Sequence, residues 1–207
     1  MGVPGYAPET LYNFIALAFW SYSAGPMDIV LIWEDPVKYF GGPSKFGSTK
    51  DEVQKNLKKM YNDKGIKIMI SAFGATEFPT TAKVDPIDCA VKLGNFVKDN
   101  NLDGVDIDWE DNSAMEAGTG EEWLISFQTK LREILPSPYI ITHAPQGPYF
   151  KKEFYKNGAY VTVDQKVGST IAFYNVQFYN QGDTKYNSFE ELFTKSTGPF
   201  SGTSVME

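Results

Sequence analysis

Short apolar runs and longer amphipathic stretches take turns along this chain. Residues 12–20 (YNFIALAFW) form an aromatic-rich run whose length and composition suit a strand buried on both faces. Residues 66–73 (IKIMISAF), 104–110 (GVDIDWE), 139–144 (YIITHA) and 171–179 (IAFYNVQFY) also read as strands. Between them the pattern lengthens to a helical period. In residues 48–65, Thr49 and Glu52 have capping-box spacing and Gly65 is a C-terminal stop. Asp85 is an N-cap with Pro86 at the first helical position, opening a helix that runs to about Asn100. Thr119 and Glu122 cap a further helix whose apolar positions include Trp123, Leu124, Phe127, Leu131 and Ile134. Residues 188–196 (SFEELFTKS) begin a last one.

Five strands separated by helices, with no adjacent hairpin, predict parallel βαβ units and hence an α/β fold. That pattern fits either a doubly wound open sheet or an eight-stranded (β/α) barrel. No GxGxxG turn follows the first strand, which removes the commonest reason to favour the dinucleotide-binding version.

Composition narrows the partners. With 207 residues, 42% hydrophobic and 22% charged, the chain is expected to fold as one domain over residues 1–207. No apolar run approaches the ~20 residues of a membrane span. The first residues, MGVPGYAPET, have neither the basic nor the apolar region of a secretory signal. The formal charge is −7 and the basic residues are spread out, so a nucleic-acid partner is not expected and a neutral or cationic ligand fits better. A single cysteine, Cys89, excludes an intrachain disulfide and reads as a buried structural thiol. Aromatic residues make up 15% of the chain and serve equally as core or as flat faces for sugar rings.

The chemistry is concentrated in residues 100–113 (NNLDGVDIDWEDNS). Strand alternation points Asp106, Asp108 and Glu110 one way and Val105, Ile107 and Trp109 the other. In a barrel the three acids climb the inside and Glu110 reaches the carboxyl end, where barrel enzymes place their sites. Carboxylates spaced by two residues, with α-carbons about 7 Å apart, cannot all ionise and are expected to share protons. One acid is then kept protonated near neutral pH, as a general acid requires. A calcium loop is disfavoured, because the stretch lacks the glycine and the spacing of an EF-hand. Asp103 has the opposite parity and reads as structural, and Asp111 as a surface or loop residue. His143, with no serine or cysteine nucleophile pattern beside it, reads as a hydrogen-bonded structural residue.

The segment DGVDIDWE resembles the DxxDxDxE signature of glycoside hydrolase family 18, the chitinase family, with Asp103, Asp106, Asp108 and Glu110 at its four positions. Residues 144–148 (APQGP) and 176–180 (VQFYN) resemble strand ends of plant and fungal class III chitinases. The resemblance implies a (β/α)8 TIM-barrel fold and hydrolysis of N-acetylglucosamine polymers by a substrate-assisted, retaining mechanism. In it Glu110 protonates the glycosidic oxygen, Asp108 binds the acetamide nitrogen, Asp106 holds the shared proton, and Tyr179 donates to the N-acetyl oxygen. Gln177 is expected to help bind the sugar, with Asn180, Gln146, Phe73 and Trp20 as further substrate contacts; Trp20 suits core packing equally. No metal or cofactor is implied. The implied protein is an extracellular monomer acting on chitin or an N-acetylglucosamine-containing oligosaccharide. An endo-β-N-acetylglucosaminidase acting on N-glycan cores and a noncatalytic chitin-binding lectin are the alternatives on this fold, and the presence of Glu110 favours catalysis.

The chain departs from the family in two ways. Residues 71–74 read SAFG where the family has an SxGG-like strand end, so Phe73 stands where a glycine is expected. Ser71 can still support Asp106 by a hydrogen bond. Aligned by motif, residues 12–20 correspond to the second barrel strand and residues 171–179 to the sixth. Strands one, seven and eight have no evident counterpart, so an incomplete barrel, truncated at both ends, is expected.

Overall fold

Four apolar strands, each buried by helices on one side, make the frame on which the acids are mounted. Residues 12–180 are described in the computed structural model. The strands are β1 (Phe14–Ser21), β2 (Gly25–Pro26), β3 (Lys67–Phe73), β4 (Gly104–Asp108) and β5 (Ile140–His143), in the order β2-β1-β3-β4-β5. β1, β3, β4 and β5 run parallel. β2 turns back antiparallel on the end of β1, with Trp20 opposite Pro26 and Ser21 opposite Gly25, so a short hairpin occurs where none was expected. The helices are α1 (Asp28–Glu34), α2 (Pro36–Tyr39), α3 (Lys50–Asn62), α4 (Pro86–Asp99), α5 (Asn112–Ala117), α6 (Gly120–Ile134) and α7 (Ala159–Val167). Parallel strands alternating with helices in this order form an arc of a (β/α) barrel. The helix expected from residue 188 lies outside the described residues.

Local chemistry explains most boundaries. The Thr49 hydroxyl accepts from Glu52 N while the Glu52 carboxylate accepts from Thr49 N, closing the predicted capping box of α3. Asp85 accepts from Asp88 N at 2.8 Å and starts α4 on Pro86. Thr119 does not cap α6: its hydroxyl donates to the carbonyl of Ala114 instead. The reason is α5, a short helix that the apolar pattern does not reveal, which ends on left-handed Gly118 just before Thr119.

Residues 171–179 run alongside β5 as an interrupted ladder, not as a continuous strand. Bridges form at His143–Tyr174 and Gln146–Gln177, and the amides of Ala172, Asn175 and Gln177 donate to Ile141, His143 and Pro145. Pro145 has no N–H to return, and the chain bends into a short 3-10 turn at Gly147–Phe150, which breaks the pairing.

Asp103 ties the start of β4 to its neighbours, as its parity implied. It accepts from Ile68 N at 2.8 Å and pairs with Lys58 Nζ at 3.0 Å. Gly104 follows where β4 and β5 touch; a Cβ there would lie 1.9 Å from the carbonyl oxygen of Ile140. Cys89 is fully buried in the core, as is Trp109.

Candidate active site

Register builds the site before any side chain is considered. β3, β4 and β5 are aligned so that Ser71, Asp106 and Thr142 lie side by side in one row. Asp106 therefore has a hydroxyl on each flank: Ser71 Oγ donates to Oδ2 at 3.3 Å and Thr142 Oγ1 to Oδ1 at 2.5 Å. Asn175 Nδ2 adds a third bond to Oδ1 at 3.0 Å. Burial raises the pKa of Asp106 and these three donors oppose that rise, with burial the larger effect.

Asp108 stands one step up the strand and is half-buried. Its carboxyl is pushed up to about 8, first by burial, then by the charges of Glu110 and Asp106 and by a hydrogen bond shared with Glu110. Asp108 is thus coupled to an acid on either side of it. Asp106, expected to hold the shared proton, adjoins Asp108 on the other side, and burial raises its own carboxyl as well. Gln177 Nε2 donates to Asp108 Oδ1 at 2.7 Å, reaches Glu110 Oε1 at 3.5 Å, and is anchored on the carbonyl of Ala144 at 2.8 Å. Gln146 Nε2 donates to Glu110 Oε2 at 2.9 Å.

A cleft of about 370 Å³ opens over this row, lined by Ala18, Phe19, Asp106, Asp108, Gln177 and Tyr179 among others. Tyr179 is largely exposed at its edge, and its hydroxyl is shifted upward by partial burial and by the nearby charges of Asp108 and Glu110. The structure thus brings together Asp106, Asp108, Glu110, Gln146, Gln177 and Tyr179. Asn180 is exposed, with φ 57°, and is not among the residues lining the cleft.

Two expected sugar contacts belong to the core instead. A register shift between Ala18 and Trp20 leaves Phe19 as a bulge and sets Trp20 opposite Ala72. Trp20 is therefore turned inward against Phe73 and Phe96, while Phe19 takes its place in the cleft wall. Phe73 adopts a left-handed backbone, φ 80°, and its fully buried ring packs against Trp20, Trp123 and Phe127. The next residue, Gly74, leaves room for Phe19; a Cβ there would meet that ring at 3.1 Å.

Asp111 is also corrected. It is completely buried, caps α5 by accepting from Ala114 N, and takes two bonds from Thr81, at 2.6 Å from the backbone and 2.5 Å from the hydroxyl. Three further members of the site escaped sequence reasoning. Thr142 needs the strand register to be seen, and Phe19 the bulge. Asn175 did carry a signal, since it shares the parity of Gln177 and Tyr179.

Paired acids beneath an open cleft at the carboxyl ends of parallel strands are the arrangement of a barrel glycosidase. The chain belongs to the glycosyl hydrolases family 18, whose family model matches residues 4–204. It is 35% identical to a GH18 chitinase from Pseudoalteromonas aurantia, superposing with a TM-score of 0.64 over 85% of this chain and 63% of that one. It is also 32% identical, over 132 residues, to the secreted chitinase LysM12 of Penicillium expansum, a match spanning 55% of this chain and 8% of that protein. A family GH18 chitinase from Chromobacterium violaceum, 21% identical, shares the fold with a TM-score of 0.51 over 64% of this chain and 37% of its own. The chain thus spans less than two thirds of the length of these relatives.

Proposed function

We propose that this chain acts as a chitinase, hydrolysing β-1,4 bonds between N-acetylglucosamine units with the substrate's own N-acetyl group as nucleophile. The observation that carries the reading is the single amide of Gln177 that reaches both acids, Asp108 Oδ1 at 2.7 Å and Glu110 Oε1 at 3.5 Å, with Asp108 and Gln177 lining the cleft. Glu110 gives its proton to the glycosidic oxygen, and the C1–O bond breaks with its electron pair leaving on that oxygen. The acetamide carbonyl oxygen bonds to C1, forming an oxazolinium ion whose N–H donates to Asp108. Water then adds at C1, Glu110 takes its proton, and the ring opens with retained configuration. Acids beneath the ring stabilise the cationic intermediate, and the Tyr179 hydroxyl holds the acetamide oxygen.

The relatives named as chitinases, and the uncharged character of chitin against a chain of net charge −7, support the substrate. The Penicillium relative is named as secreted, and an extracellular setting is proposed on that ground. Hydrolysis of a fluorogenic chitotrioside by this chain and by Glu110→Gln is the test. Loss of about 10²–10⁴-fold in the variant is expected of a general acid. Binding without turnover in both would support a lectin, and cleavage of a high-mannose glycopeptide but not of chitin oligomers would support an N-glycan substrate.

A further inference from the structure

We infer that Gln146 is a positioning residue for Glu110, one that grips the acid in the resting site and sets the upper pH limit of the reaction. The inference rests on the role proposed above for Glu110. Resemblance places Gln146 among the sugar contacts, but the geometry gives its amide another employer. Nε2 lies 2.9 Å from Glu110 Oε2, beside the cleft whose lining includes neither Gln146 nor Glu110. Its backbone is fixed on both sides, with Gly147 N on the carbonyl of Gln177 and Gln177 N on that of Pro145, each at 2.9 Å. The pairing that aims Gln177 therefore aims Gln146 as well. Two amides from adjacent segments address the two oxygens of one carboxyl, Gln146 at Oε2 and Gln177 at Oε1.

The electrostatic setting makes those donors matter. Asp108 faces Glu110 from β4 with Asp106 behind it, Asp111 adjoins it in the chain, Tyr149 approaches from the turn after β5, and Tyr179 from the segment beside β5. None of these is a cation, and the Tyr149 hydroxyl is committed to Asn112 Oδ1 at 2.6 Å. Negative charge on the acid pair is thus held by amide N–H groups. An N–H donor favours the ionised form of its partner. An amide turned over also offers a carbonyl to a carboxylic acid, so Gln146 can hold Glu110 in both states of the cycle.

The test uses Gln146→Met and Gln146→Ala, both checked for folding by thermal melting. With the chitotrioside, each variant is expected to lose about tenfold in kcat and to move the basic limb of the rate profile up by about one pH unit, with KM little changed. A rise in KM with an unmoved limb would make Gln146 a sugar contact and overturn the inference. A readout independent of activity is the titration of the Asp108–Glu110 pair by carboxyl ¹³C NMR, identified by its loss in Glu110→Gln. It is expected to move to higher pH in both variants, and an unmoved titration in both overturns the inference. If the chain cleaves no chitotrioside at all, the proposed activity fails while this titration still decides the role of Gln146.

Discussion

Gln177 donates to Asp108 Oδ1 at 2.7 Å from the same amide nitrogen that is anchored, at 2.8 Å, on the carbonyl of Ala144. That carbonyl can only accept, so it fixes which end of the Gln177 amide faces the acids. Gln177→Leu removes the brace from Asp108 and leaves a buried carbonyl without its partner. The expected result is a 10- to 100-fold fall in kcat/KM, equivalent to about 1.4–2.7 kcal/mol, and a stability loss of about 1–3 kcal/mol. Chitotrioside kinetics and urea unfolding measure the two separately. An unchanged kcat/KM in a folded variant would remove Gln177 from the site.

Asp108 makes stability depend on pH in a direction opposite to most carboxylates. Its pKa is raised from about 3.8 to about 8 in the folded chain. Between those values the native state holds the extra proton, so stability falls as pH rises from about 4 to about 8. Asp108→Asn cannot lose that proton. The variant should gain on the wild type by roughly 2 kcal/mol between pH 4 and pH 8, a figure reduced because the group is partly open to solvent. Urea midpoints at the two pH values give the comparison, and a constant difference would contradict the shared-proton pair. Activity should be lost at both.

His143, the only histidine in the chain, is fully buried between the Tyr160 hydroxyl at 3.0 Å and Gln128 Oε1 at 3.1 Å. Gln128 donates its own amide to Thr170, so Oε1 faces the ring and Nε2 must carry the proton. Burial pushes the imidazole down to about 3. A folded pKa below the unfolded value of 6.5 means stability that is complete above pH 6.5 and lost as pH falls toward 3. The ring C2–H resonance should therefore not titrate between pH 5 and 8. Titration near 6.5 would show the ring to be solvated.

How far the site is legible without a structure depends on the physics behind each residue. Asp106 and Asp108 follow from alternation along one strand, which is a local property, and so does the opposite parity of Asp103. Thr142 becomes a partner of Asp106 only through the pairing of β4 with β5, a register that no single segment encodes. Trp20 and Phe73 fail for a different reason: a bulge and a left-handed backbone reverse the face that alternation assigns. The four-residue α2 and six-residue α5 are too short to show an apolar period, and with α5 the burial of Asp111 stays hidden.

Asp111 adjoins Glu110 and binds both the cap of α5 and Thr81, so one substitution loosens two loops at the mouth of the site. Asp111→Ala leaves Thr81 N and Ala114 N without their acceptor. A loss of about 2–4 kcal/mol is expected, summing a helix cap and a charge-assisted bond. Asp111→Asn keeps an acceptor and should recover part of it. Equal stability of the wild type and Asp111→Ala in urea would mean that the side chain is solvated, as first expected of a loop residue.

Phe73 separates a role in the cleft from a role in the core. Its ring fills a fully buried space among Trp20, Trp123 and Phe127, on a backbone of φ 80° that disfavours any side chain. Phe73→Gly relieves a backbone strain of about 1–3 kcal/mol but removes a core aromatic worth about 3–5 kcal/mol. The cavity outweighs the relief, so net destabilisation of roughly 2 kcal/mol is expected. Below the melting temperature KM for the chitotrioside should stay within about twofold of the wild type, because no sugar contact is lost. A large rise in KM with unchanged stability would return Phe73 to the binding surface.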